Sequence, residues 1–206
     1  TEVKRFFAAW DVAGAGTAAL TGEAAAGPGA SEEEADRAGE TDGQEESAGP
    51  TVGKSFVESG EDIAFFRNSQ DGYCLRVADA AAGSRFFQLE KTEDGGKNWE
   101  LWNPDPFGGT LGGGVDLEFL DENLGFFVIW GASGSDARLY RTEDGGKSLA
   151  EVELPALAEG YDFPELPVQE GDALELTVGK GVESDGPEDV ARLTSEDLGK
   201  TWTLAE

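Results

Sequence analysis

Forty-three carboxylate side chains and no histidine bound the chemistry open to this 206-residue chain. Histidine is the commonest general base and transition-metal ligand near neutral pH. Its absence excludes Ser-His-Asp triads, Cys-His pairs and histidine-ligated zinc sites by composition. Carboxylates alone can still perform glycoside-type acid–base work, in which two of them stand about 5–10 Å apart across the scissile bond. Such acids sit beside aromatic side chains in the segments NPDPFGGTLGGG, GASGSD, PALAEGYDF and KGVESDGPED. The candidates are Asp105, Asp136, Asp162 and Asp185, with Asp116 nearby, and the aromatics at their margins are Trp102, Trp130, Tyr161, Phe107 and Phe163. For each aromatic a packing role is the simpler reading and a sugar platform the alternative.

Fifteen basic residues against 43 acidic ones leave a formal charge of −28. Nucleic acid and anionic membrane surfaces carry the same sign, so neither is expected as a partner. The run SEEEADRAGETDGQEES (31–47) holds eight acids and one base, and the rest of the surplus is spread along the chain as a solvating surface. Cys74 has no second cysteine to pair with and lies in the alternating run GYCLRV, which predicts a buried, inert thiol. No stretch approaches the roughly 18 apolar residues of a membrane-spanning helix. Thr1 stands where an initiator methionine would, which makes a processed or trimmed product the expectation.

The elements that must position these residues emerge from the texture of the chain. Residues 1–11 form a short segment with Phe6, Phe7 and Trp10, and 12–54 are an acidic, low-complexity linker nearly free of large apolar residues. From 55 to 206 short apolar runs alternate with Gly, Asp and Asn clusters, the pattern of an all-β domain. The runs fall into three rows. The first is DIAFF (62–66), GYCLRVA (72–78), RFFQLEK (85–91) and WELW (99–102). The second is VDLEFL (115–120), LGFFVIW (124–130), ARLYR (137–141) and LAEVEL (149–154). The third is a less defined strand near 164–169, then ALELTVG (173–179), VARLT (190–194) and TWTLA (201–205). Four short strands in a unit of roughly 40–50 residues predict β-propeller blades, here about 55–104, 105–156 and 157–206.

Between the third and fourth strand of each row lies one repeated stretch: KTEDGGKNWE at 91–100, RTEDGGKSLA at 141–150 and TSEDLGKTWT at 194–203. Its Asp94, Asp144 and Asp197 can accept backbone N–H bonds across a tight turn, and the Gly pairs tolerate positive φ. The stretch resembles the Asp-box, or bacterial neuraminidase repeat, Ser/Thr-x-Asp-x-Gly-x-Thr/Ser-Trp. The residues that carry the resemblance are Thr92, Asp94, Gly96 and Trp99; Thr142, Asp144 and Gly146; and Ser195, Asp197, Gly199 and Trp202. Asn98 departs from Thr/Ser in the first copy and Leu149 from Trp in the second. The resemblance implies structural hairpins at the blade edge, on the face opposite the binding funnel. An isolated Asp turn also lacks the about six to eight oxygens that calcium takes, so no metal and no cofactor is expected.

Asp-boxes occur in sialidases, sortilin-type receptors, photosystem II assembly factors, xyloglucan-active glycosidases and bacterial surface proteins. A sialidase implies an arginine cluster, a Tyr–Glu pair and a Phe-Arg-Ile-Pro motif, of which FFRN at 65–68 keeps only the first half. Arg76, Arg85, Arg138, Arg141 and Arg192 lie in or beside strands, where outward-facing charge is the simpler reading. The expectation is therefore a non-catalytic binding or scaffolding module, extracellular or on a bacterial cell surface, taking a protein or glycan ligand. A glycoside hydrolase of the sialidase-like superfamily and an assembly-factor-like module are the alternatives. Three blades fall short of the about 4–8 that close a propeller, so the expectation is a partial propeller, an excerpt of a larger one or a homo-oligomer that completes the ring.

Overall fold

The computed structural model describes residues 51–132, 134, 136–180 and 190–205, all within one compact unit that runs from Glu46 to Glu206. The expected N-terminal segment 1–11, the linker as far as residue 50 and Asp185 lie outside the described residues. Among the described residues every regular element is a strand, and they build three antiparallel sheets.

The first sheet holds β1 (Ser55–Ser59), β2 (Asp62–Phe66), β3 (Gly72–Ala81), β4 (Ser84–Thr92) and β5 (Glu100–Asn103) in chain order. The second holds β6 (Gly114–Phe119), β7 (Gly125–Trp130), β8 (Ala137–Thr142) and β9 (Ala150–Glu151), also in chain order. The third runs β10 (Phe163–Pro164), β12 (Ala173–Gly179), β13 (Val190–Ser195) and β14 (Thr203–Leu204), with β11 (Val168–Glu170) also on β12. The fold is all-β, and its three open sheets are propeller-like blades.

Successive side chains of a strand point to opposite faces, and that alternation makes the layers. Phe65, Tyr73, Leu75 and Leu89 of the first sheet share a buried cluster with Leu117, Phe119, Phe127 and Ile129 of the second. The other face of the second sheet, with Phe126, Val128 and Leu139, packs on Leu174, Leu176, Leu193 and Trp202 of the third. A sheet with neighbours on both sides needs apolar residues at consecutive positions, which is why β7 reads GFFVIW and is buried from Gly125 to Ile129. Each large side chain so buried contributes about 1.5–3 kcal/mol.

Three features differ from the four-strand rows. SFVES at 55–59 adds a fifth strand to the first sheet. The ill-defined strand near 164–169 is two short pieces on one edge of β12. Pro164 and Pro167 bring no N–H to the ladder and so interrupt it. LAEVEL is strand only at Ala150–Glu151. Cys74 is fully buried, and burial pushes its thiol up to about 12.

Candidate functional site

The three repeated turns adopt one geometry. In the first, the Thr92 hydroxyl donates to Asp94 Oδ1 at 2.8 Å and accepts the N–H groups of Asp94 at 3.3 Å and Gly96 at 3.1 Å. Asp94 Oδ1 also accepts the Asn98 N–H at 2.9 Å, and Oδ2 takes the Asn98 amide at 2.6 Å. Thr142, Asp144, Gly146 and Ser148 repeat this, the Ser148 hydroxyl reaching Asp144 Oδ2 at 2.6 Å. Ser195, Asp197, Gly199 and Thr201 repeat it again. Asn98, Ser148 and Thr201 are thus interchangeable, because the site asks only for a short side chain with a donor.

Both oxygens of each carboxylate are consumed within the turn, and the charge is held there. The Asn98 amide and N–H, with the Thr92 hydroxyl, lower Asp94 to about 2. Burial raises Asp144, but the Ser148 and Thr142 bonds outweigh it and its net shift is downward. The Thr201 and Ser195 bonds lower Asp197 further. At the position before the repeated glycine, Gly95 and Gly145 approach the Ser69 and Glu122 carbonyls and donate to those of Gln70 and Asn123. Leu198 occupies this place in the third turn at φ +62°. The preceding hairpin there closes through Gly171 and Asp172 alone, so no longer loop overlies it.

These turns also lock neighbouring sheets together. Trp102, expected at the margin of loop 103–114, directs its indole N–H to the Gly145 carbonyl at 2.8 Å. The buried Asn103 amide donates to the carbonyls of Gly146 and Lys147 at 3.1 and 3.2 Å. Lys91 and Lys147 approach the Trp102 ring to 4.8 and 5.3 Å. Between the second and third turns, Arg141 donates to the Leu198 carbonyl at 2.7 Å and Lys200 pairs with Glu143 at 2.9 Å. Leu149 and Trp202 pack toward the preceding sheet, and Trp99 packs on the face of the first sheet turned away from the second.

The opposite end carries the loops expected to hold a ligand site. Phe107 folds inward between the first two sheets, edge-on to Tyr140 at 5.2 Å and to Phe87 and Phe127 at 6.4 Å. Asp105 spends its carboxylate on the Gly109 N–H at 2.7 Å. Trp130 and Phe163 pack together at 6.4 Å between the second and third sheets. Asp116 Oδ1 accepts the Leu117 N–H. Asp136 and Asp162 lend backbone carbonyls to Gly131 and Ala137. The arginines are held one by one: Arg76 by Asp62, Glu58 and Glu90, Arg85 by Glu61, Arg138 by Glu151 and Arg192 by Glu175.

Two concavities border the third sheet: a broad one of about 410 Å³ lined by Tyr161, Val190, Ala191, Arg192, Leu204 and Ala205, and a smaller one at the seam of the second and third sheets. The smaller measures about 210 Å³ and is lined by Leu139, Val152, Leu154, Leu157, Val178 and Tyr161, with Arg138, Glu151 and Asp162 at its border. Of the expected residues it gathers Tyr161 and Asp162, while Asp105, Trp102 and Trp130 are placed elsewhere. Its aliphatic lining was not foreseen, since Val152 and Leu154 read as strand; Pro155 was the signal that the strand stops short. Among the described residues no three acidic or cysteine side chains gather as they would around a metal ion. No protein-family model matches the chain, and no curated protein matches its sequence.

Proposed function

We propose that this chain is an Asp-box propeller module that binds a protein partner outside the cytoplasm without catalysing a reaction. The observation that carries the reading is the aliphatic hollow at the end opposite the repeated turns, open to solvent and bordered by Arg138, Glu151 and Asp162. Five Leu and Val side chains with a single tyrosine favour an apolar side chain of a polypeptide over a sugar, which needs several convergent hydrogen-bonding groups. The charged border then fixes orientation, as polar rims do around buried anchors.

Selection of displayed peptides on the intact chain, followed by titration of the winners, tests this. Peptides with one apolar anchor are expected, and Leu157→Asp should weaken them at least about tenfold, near 1.4 kcal/mol. Peptides indifferent to Leu157→Asp and Tyr161→Ala would place recognition elsewhere. Hydrolysis of aryl glycosides by the purified chain would favour the glycosidase reading instead.

A further inference from the structure

The three sheets repeat one register, so a given position can be compared in each. The box residues Thr92, Thr142 and Ser195 pair with Gly72, Gly125 and Leu174 and fix the alignment. In the second sheet Val115, Ile129 and Tyr140 face the first and are buried. The same positions of the first sheet, on its outward face, are Asp62, Arg76 and Glu90. On the faces turned the other way, Tyr73, Leu75 and Leu89 in the first sheet and Phe126, Val128 and Leu139 in the second are buried. Their equivalents on the outward face of the third are Glu175, Thr177 and Arg192.

Both sets of replacements put charged or hydroxyl side chains where the interior faces have aliphatic and aromatic ones. Arg76 bonds to Glu90 and reaches Asp62 at 3.0 Å and Glu58 at 3.3 Å, with its guanidinium 5.5 Å from the Trp99 ring. Phe56, Phe66 and Trp99 close over Ala64 and Cys74, so the apolar part of that face is covered by its own rings. Arg192 meets Glu175 at 2.6 Å with side chains 64% and 32% exposed. Stacking a further sheet there would strip water from these charges without supplying partners. Terminal repeats of stacked architectures carry polar outer faces for this reason.

We infer that the three-sheet stack is charge-capped at both ends: neither outward face accepts another sheet, and the chain is a monomer that does not close a ring with a second copy. Sedimentation equilibrium of the full chain should give 21.7 kDa from low to high micromolar concentration. Twice that mass would overturn the inference. Two triple variants exchange each cap for the residues of the second sheet: Asp62→Val, Arg76→Ile and Glu90→Tyr on one face, and Glu175→Phe, Thr177→Val and Arg192→Leu on the other. Mixed, they should associate at least about tenfold more tightly than the unaltered chain. Folded variants that stay apart would refute the capping role. If the third-sheet variant fails to fold, Arg192→Leu on its solvent-exposed site takes its place, and if the first-sheet variant fails, Arg76→Ile does, each read by the same mass measurement.

Discussion

The glycine that ends each repeated turn provides a graded test of how the sheets are joined. Gly96, Gly146 and Gly199 sit at φ +85°, +88° and +80°, so alanine meets the same left-handed backbone cost at all three, about 1–2 kcal/mol. A smaller unfolded-state entropy returns about 0.4–1 kcal/mol in each case. What differs is the neighbour. A Cβ on Gly96 would lie 3.2 Å from the Phe66 ring, which a shift of a few tenths of an ångström relieves. On Gly146 it would lie 2.6 Å from Leu89 Cδ2, and on Gly199 2.5 and 2.7 Å from the Phe126 ring. Leu89 and Phe126 are fully buried between sheets and have nowhere to go, so overpacking adds about 1–3 kcal/mol. The expected losses are about 1 kcal/mol for Gly96→Ala and about 2–4 kcal/mol for Gly146→Ala and Gly199→Ala. Urea unfolding followed by tryptophan fluorescence reads these as midpoint shifts at constant slope. A Gly96→Ala loss equal to or above the other two would refute the argument that inter-sheet packing, rather than turn conformation, sets the cost.

Three further outcomes follow from the same geometry. Trp102→Phe removes the indole N–H that reaches Gly145 and should cost about 0.5–1.5 kcal/mol in thermal unfolding, and Asn103→Ala, which orphans buried carbonyls, about 1–3 kcal/mol; Asn103→Ala proving the milder change would contradict the assignment. Asp94, Asp144 and Asp197 are depressed in the folded chain, so the unfolded chain binds more protons; their contribution is complete above the unfolded value near 4 and is lost as pH falls toward about 2 for Asp94. Urea midpoints taken in about 0.5 M salt, which screens the self-repulsion of so acidic a chain, should decline across that window, and less steeply in Asp94→Asn. The Cys74 thiol, held up by burial, should ignore Ellman's reagent until the first sheet opens, and fast labelling of the native chain would exclude the packing described.

Local chemistry was the most legible part of the chain. The repeated turn could be read because its bonds span two to four residues, from Thr92 to Asp94 and Gly96 and from Asp94 to Asn98. Strands announced themselves by alternation, and β7 by its unbroken apolar run. SFVES was silent because its edge position leaves Val57 and Glu58 exposed and the pattern weak. The role of Trp102 was hidden because its acceptor lies 43 residues away. The aliphatic hollow could not be read from spacing either, since Leu139, Leu157 and Val178 converge only when two sheets stack. The caps needed the pairing register, without which Arg76 and Arg192 read simply as surface charge on strands.

In the first two sheets each strand pairs with the one just before it in the chain. Such a meander can zip up hairpin by hairpin, with little loop-closure entropy to overcome at any step. During synthesis the first sheet therefore has all five of its strands once Asn103 has emerged, before any of β6 exists. The second can then condense on a face already built, and the third on the second. A chain assembled in this order keeps few unpaired edges waiting in solution, a kinetic protection against aggregation that comes from connectivity alone.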